Sequence, residues 1–289
     1  MIKALVDAQR AQLVERSPRL KPNTIANYER ENRSAQRFFG RKTVLKSFNP
    51  ETEMEIDLEL RDCPLREITR AKIEEWIRFR LDSCAPGTGN RDLARLRSVM
   101  RWAEREGWLK GGGNPMNQVR QLQELEGVIR WLLDHEEARL KEVSPPWLWR
   151  MIEFSLWTGL RRGEQLDLRW DQIRDDMIEV RATQTKGKRG RWIPITETIA
   201  EILDAQRADP LVHPVWIFPN LGGKNRWNPY NFYKKWHKAR EAAGLMDYRW
   251  HDNRHTFCSR LVQEGVPLEQ IQVLAGHRDL KMTQRYAHL

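Results

Sequence analysis

The second half of the chain carries short strings of residues equipped for chemistry: TGLRRGE (158–164), the lysine of KGKRG (186–190), HDNRH (251–255), LAGH (274–277) and TQRYAHL (283–289). In HDNRH, His251 and Arg254 are three apart and share a face if the segment is helical. Thr158-Gly159 can break a helix and turn Arg161 into a site, with Glu164 fixing the corner. Each string also has an ordinary reading. Arg161 and Arg162 suit an exposed corner, Lys186 a solvated turn, and His277 a helix C-terminus, while Tyr286 could simply close a last turn as an amphipathic ring. A divalent metal on His251, Asp252, His255 and His277 is a weak alternative. The string lacks HExxH, no acidic pair suggests a two-metal site, and a guanidinium between two histidines sits badly beside a cation.

Composition bounds what these residues serve. A chain of 289 residues can hold two domains, each large enough to bury a core. A hydrophobic fraction of 40% and 13 tryptophans indicate folded matter, and 50 Lys+Arg against 40 Asp+Glu give a net charge of +10. That sign favours a polyanionic partner, most simply nucleic acid. No apolar run approaches the ~20 residues of a membrane-spanning helix, and MIKALVDAQR is too polar for a secretory leader. Cysteines at 63, 84 and 258 are scattered, without a CxxC pair, which suits a reducing cytoplasm and argues against a zinc site or disulfide framework.

The elements that must position these residues are mostly helical. Asn23 is expected to cap TIANYERENRSAQRFF and Thr69 to cap RAKIEEWIRFRL. Residues 40–64 read as a loop with some extended structure. After the breaker APGTG (85–89), NRDLARLRSVMRWAEREGWL shows an apolar stripe of Leu93, Leu96, Met100 and Ala103. Arg91, Arg95, Arg97, Arg101 and Arg105 on this helix form either a solvated basic face or a surface laid against DNA, with Arg91, Arg95, Arg101 and Arg105 the candidate DNA contacts. GGGNP (111–115) marks a boundary, giving domains of 1–117 and 118–289. A helical run is expected over 118–143 and another in WLWRMIEFSLW. MIEVRATQT and RWIPI flank KGKRG as a β-hairpin, and the remainder returns to helix.

Taken in order, Arg161, Lys186, His251, Arg254, His277 and Tyr286 resemble the site of tyrosine recombinases of the phage integrase type. TGLRRGE, TKGKRGRWIPI, HDNRHTF, LAGH and MTQRYAHL carry the resemblance; TIANY, LREIT and TGNRDLARLRSVMRWA extend it to the family's helical core-binding domain. Asn253 and Ala275 stand where leucines are common, and no arm-binding domain is expected before TIANY. The resemblance implies a mostly α, two-domain, C-shaped DNA clamp with a small antiparallel hairpin. It implies strand exchange at specific duplex sites, a tetramer in the synaptic complex, accessory DNA-bending or directionality proteins, and action at the nucleoid.

The chemistry implied suits these residue types. A phosphodiester repels its nucleophile, so cations must meet the non-bridging oxygens as charge builds. Arg161 and Arg254 would clamp the phosphate, His277 would donate a hydrogen bond to it, and Lys186 would protonate the departing 5′ oxygen. Tyrosine, with a reference pKa near ~10, is ionised about one part in a thousand at neutrality. Tyr286 therefore needs a proton acceptor during attack, a role that falls to His251, and would form a 3′-phosphotyrosine without metal or nucleotide cofactor. A type IB topoisomerase, a non-catalytic DNA-binding regulator and a metal-dependent nuclease are the rival readings. The RYAHL ending and the compact N-terminal domain favour the recombinase.

Overall fold

Among the described residues, four helices begin at proline, at Pro22, Pro86, Pro146 and Pro229. The fixed φ of proline is already helical, and its missing N–H costs nothing in a first turn. The computed structural model describes residues 4–39, 63–109, 113–124, 127, 129–184 and 189–289. The chain divides into two compact units, Met1–Glu126 and Gly127–Leu289. Residues 118–126, assigned above to the second domain, therefore group with the first unit.

The first unit holds α1 (Leu5–Arg16), α2 (Pro22–Phe39), α3 (Arg70–Leu81) and α4 (Pro86–Arg105). Thr69 caps α3 as expected, its side chain accepting from the Lys72 N–H. Asn23 does not cap α2: the helix starts at Pro22, and the Lys21 carbonyl accepts from the Thr24 and Ile25 N–H groups. The apolar stripe of α4 is buried as the periodicity demands, Leu93, Leu96, Met100 and Ala103 packing with Trp76, Ile73 and Phe39.

In the second unit, α5 (Asp134–Val143), α6 (Pro146–Thr158) and α7 (Arg162–Leu166) lead into a three-stranded antiparallel sheet. Its order is β1 (Ile173–Arg174), β2 (Met177–Val180), β3 (Arg191–Pro194), with Ile178 opposite Ile193 and Val180 opposite Arg191. Then follow α8 (Glu197–Arg207), α9 (Pro229–Ala242), α10 (Asp252–Gln263), α11 (Leu268–Ala275) and α12 (Lys281–Gln284). The hairpin is where the alternation put it; β1 is too short to have shown a pattern. The core joins Leu148, Ile152 and Phe154 of α6 to Ile178, Ile193 and an aromatic group in which Trp250 lies edge-on to Phe232 and Trp236, at 4.8 and 5.2 Å.

The helix expected over 118–143 is confined to Asp134–Val143. The backbone upstream finds other partners. Asn90 brackets Leu122, donating to its carbonyl at 2.9 Å and accepting from its N–H at 2.8 Å, and the Leu132 N–H donates to Thr256 Oγ1 at 2.9 Å. Backbone groups satisfied this way have no need of a helical ladder.

Gly159 closes α6 in the left-handed region, φ 59°, which glycine adopts without strain. A Cβ there would lie 2.3 Å from the Phe257 ring. Gly159→Ala should therefore lower unfolding stability by about 3 kcal/mol, combining left-handed strain with overlap in the core. Urea unfolding measures it, and an unchanged midpoint would contradict this account of the corner.

Candidate active site

The turn at Gly159 delivers Arg161 to the start of α7. Its backbone N–H donates to Glu164 Oε2 at 3.0 Å, Nη1 donates to Oε1 at 2.9 Å, and Nη2 donates to the Gly276 carbonyl at 3.0 Å. Glu164 is 3% exposed. Arg191 of β3 reaches the same carboxylate, Nη2 donating to Oε2 at 2.7 Å and Nη1 to Oε1 at 3.3 Å, while its Nε donates to the Leu274 carbonyl at 2.8 Å. One buried carboxylate thus holds two guanidinium groups, and both arginines also grip the LAGH turn. That turn is possible because Gly276 ends α11 at φ 66°. Burial alone would raise the Glu164 pKa; hydrogen bonding and charge from Arg191, then Arg161, outweigh it and leave the group lowered.

Arg254, on the first turn of α10, is 2% exposed. Its Nη1 donates to the Gly159 carbonyl at 2.9 Å, and its Nη2 is buried without a hydrogen-bond partner among the described residues. Burial, then the nearby Arg161 charge, pulls its pKa down to about 10. Two guanidiniums that repel each other, one with an unpartnered nitrogen, are an arrangement an anion would relieve.

His277 follows Gly276 and is held through Nδ1, 2.9 Å from Thr283 Oγ1. When the Thr283 hydroxyl donates, the His277 proton resides on Nε2. Burial, then Arg254 and Arg161, lowers the His277 pKa to about 3. The Tyr286 ring lies parallel to His277, 6.3 Å between centroids, and is 2% exposed. Its hydroxyl oxygen is 2.5 Å from His255 Nδ1 and also hydrogen-bonds with the Cys258 thiol. Burial, then Cys258, raises the Tyr286 pKa above its ordinary value, with Arg254 opposing. His251 packs edge-on against His255 at 5.2 Å, and its pKa is lowered by burial and then by Arg254.

The structure therefore brings together Arg161, Glu164, Arg254, His277 and Tyr286, with His251 beside them. Lys186 lies outside the described residues. Two residues that touch these groups directly escape a reading of the sequence alone. Arg191 is hidden in the basic run KGKRGR, although alternation in RWIPI places it on the inward face with Ile193. His255 enters only as a possible metal ligand, yet it is the histidine that meets the Tyr286 hydroxyl. Asp252 is bound by the Arg249 N–H at 2.7 Å and by the Arg249 guanidinium, and among the described residues no group of His, Cys, Asp and Glu is placed to hold a metal.

In the first unit, the arginines of α4 separate into different roles. Arg95 is a correction: it is buried off the exposed face, donating to Asn32 at 2.8 Å and Gln12 at 2.6 Å with its guanidinium over the Tyr28 ring, so it ties α4 to α1 and α2. Arg91 is exposed and donates to Thr88; Arg105 is exposed but paired with Glu15 and Glu106. Arg101 is exposed on an open concavity of about 640 Å³ that also includes Arg16, Arg19, Arg97 and Arg105.

Comparison with known proteins agrees with this architecture. The model of the phage integrase family matches residues 128–289. The chain is 33% identical over 224 residues to the integrase of Salmonella phage P22, covering 73% of this chain and 56% of that one. It is 28% identical over 292 residues to a tyrosine recombinase XerD of Listeria monocytogenes, covering 96% and 91%. The chain spans little more than half the length of the phage integrases it matches, 56% for P22 and 58% for Escherichia phage 186. A lambda integrase dimer bound to a core site superposes with a TM-score of 0.77 at 21% identity, covering 97% of each chain. The Tn1549 transposon integrase in complex with a circular intermediate DNA gives 0.73 at 19% identity, covering 98% and 94%.

Glu164→Gln keeps the shape and removes the charge that balances Arg191; it should cost about 3 kcal/mol, because an uncompensated guanidinium stays buried. The pH dependence has a fixed sign. The lowered Glu164 contributes stability in full above the ordinary carboxylate range and loses it as pH falls below. His255, lowered to about 4, and His277, lowered to about 3, likewise bind protons more readily when unfolded, so stability drops as pH falls below the ordinary histidine value. Urea midpoints should decline steadily from neutral to acid pH, less steeply in Glu164→Gln; a flat profile would contradict the electrostatics described.

Proposed function

Because the chain belongs to the phage integrase family, we propose that it is a site-specific DNA recombinase that cuts and rejoins duplex DNA through a 3′-phosphotyrosine at Tyr286. The observation that carries this reading is the buried Arg254, with one nitrogen unpartnered among the described residues, next to Arg161 and in the same cluster as a buried tyrosine hydroxyl. In the proposed reaction Arg161 and Arg254 hold the scissile phosphate and stabilise charge building on its non-bridging oxygens. His277, neutral, donates to the same group from Nε2 when the Thr283 hydroxyl donates to its Nδ1, and His251 lines it. Lys186 protonates the 5′ oxygen as it leaves. Glu164 and Arg191 position Arg161 and the LAGH turn. The first unit, with the part of the chain up to about residue 117 expected as its DNA-binding core, supplies duplex affinity through exposed arginines such as Arg91 and Arg101, and Arg19 joins them on the concave face.

A solved lambda integrase structure is a tetramer on a Holliday junction. A homotetramer on paired sites is the corresponding proposal here, with accessory DNA-bending or directionality proteins. No helix among the described residues is long and apolar enough to cross a membrane.

Two measurements test the proposal. Arg19→Ala with Arg101→Ala should weaken duplex binding and flatten the dependence of log affinity on log salt by about two units, because each arginine neutralises one phosphate. An unchanged slope would make this face merely solvated. For the reaction, a pool of short randomised duplexes nicked near their centre should yield adducts that survive denaturation, because the released fragment diffuses away before religation. Sequencing the captured DNA defines the site, and paired copies of it should then exchange strands. Arg254→Ala should lose capture by about a thousandfold or more while still binding duplex. Relaxation of supercoils without exchange, or capture abolished by chelator, would overturn the recombinase reading.

A further inference from the structure

The histidine in contact with the Tyr286 hydroxyl is not the one that pairs with Arg254 in HDNRH but the next one along. His255 is one helical turn beyond His251 on α10, and its Nδ1 lies 2.5 Å from Tyr286 Oη. The two rings are tilted at 5.8 Å, and Tyr286 is closed off from solvent, so water does not compete for this hydroxyl. From the geometry we propose that His255 is the proton acceptor for the Tyr286 nucleophile, leaving His251 to the phosphate side of the site. The proposal rests on the recombinase reading.

The surroundings fit an acceptor. His255 is lowered to about 4, by burial first and then by His251, with Asp252 opposing and Arg285 and Arg249 adding to the effect. It is therefore neutral near pH 7, with one ring nitrogen free to accept. The His277 ring lies parallel to that of Tyr286 but engages Thr283 through its Nδ1. The Cys258 thiol, raised to about 11 by burial, is protonated and cannot serve as the base. In the step itself, the Tyr286 oxygen forms its bond to phosphorus as its proton passes to His255 Nδ1. The bond from phosphorus to the 5′ oxygen breaks, its electron pair leaves on that oxygen, and the oxygen takes up the proton assigned to Lys186. His255 is then an imidazolium, and religation returns its proton to Tyr286.

The test uses full-length protein and the nicked duplex selected by capture, in single-turnover reactions from neutral to alkaline pH. His255→Asn keeps a hydrogen-bonding atom near the Nδ1 position but cannot take the proton; His255→Phe keeps ring volume and removes both. Each should bind duplex as the wild type does and form adduct about a hundredfold to a thousandfold more slowly at neutral pH. The deficit should shrink as pH rises, because hydroxide then does the work of the lost base. A purely structural role would give a deficit independent of pH. Adduct formation by His255→Phe within about threefold of wild type across the range would overturn the proposal. A second arm needs no DNA: with ¹⁵N-labelled histidine, His255 Nδ1 should show the shift of an unprotonated acceptor, and Tyr286→Phe should move it. A protonated Nδ1, or no response to Tyr286→Phe, would also overturn the assignment. If the wild type forms no adduct with any duplex, the recombinase reading fails, and the labelled histidine still reports whether the contact exists.

Discussion

A single buried carboxylate, Glu164, holds two guanidinium groups and through them three separate parts of the second unit. Arg161 comes from the corner after α6 and Arg191 from β3; Arg161 also binds the Gly276 carbonyl and Arg191 that of Leu274 at the end of α11. Burying the charges of Glu164 and Arg191, with Arg161 half-buried beside them, is costly unless hydrogen bonds satisfy them. Here both carboxylate oxygens accept from Arg161 and from Arg191. The corner, the sheet edge and the LAGH turn are consequently fixed together, and these segments carry Arg161 and His277. Glycine makes the arrangement possible at two points. Gly159 turns its carbonyl toward Arg254, and Gly276 admits Arg191 to within 3.0 Å of where a Cβ would stand.

What this frame supports is electrostatically unsatisfied. Arg254 lacks a partner for one nitrogen among the described residues, and burial first, then repulsion by Arg161, pulls its guanidinium down to about 10. The same positive field, added to burial, keeps His277 and His251 neutral. A neutral imidazole can donate with one nitrogen while accepting with the other, which an imidazolium cannot. The cluster therefore combines fixed cations for an anionic group with neutral imidazoles for hydrogen bonding and proton exchange. Tyr286 is not ionised by this field in advance: burial and Cys258 outweigh Arg254.

Much of this was legible in the sequence, for physical reasons that differ by residue. The stripe of α4, the Thr69 cap and the hairpin over 177–194 follow from periodicity and local hydrogen bonding, and the structure contains them. The residues of TGLRRGE, HDNRH, LAGH and TQRYAHL assemble because each string carries its own turn or helix start. The Asn23 cap is displaced locally, by a helix that starts at Pro22, whereas elsewhere tertiary partners override local pattern. Arg95 looks like one more arginine on a basic helix until Asn32, Gln12 and Tyr28, from two other helices, surround it. The segment after 118 looks helical until Asn90 claims the Leu122 backbone. Asn253 departs from an expected leucine, yet it is buried and its Oδ1 accepts from the Tyr248 hydroxyl at 2.7 Å, so a polar pair replaces an apolar contact. No local pattern announces Glu164 as the partner of Arg191, since the two are 27 residues apart.

The central claim is that the buried hydroxyl beside His255 and His277 is the group that joins DNA. The most direct measurement is mass spectrometry of the protease- and nuclease-digested adduct formed on nicked duplex. A 3′-nucleotide linked through phosphate to the peptide containing Tyr286 is the predicted result. Attachment at any other residue, or cleaved DNA with no linked peptide, would contradict it.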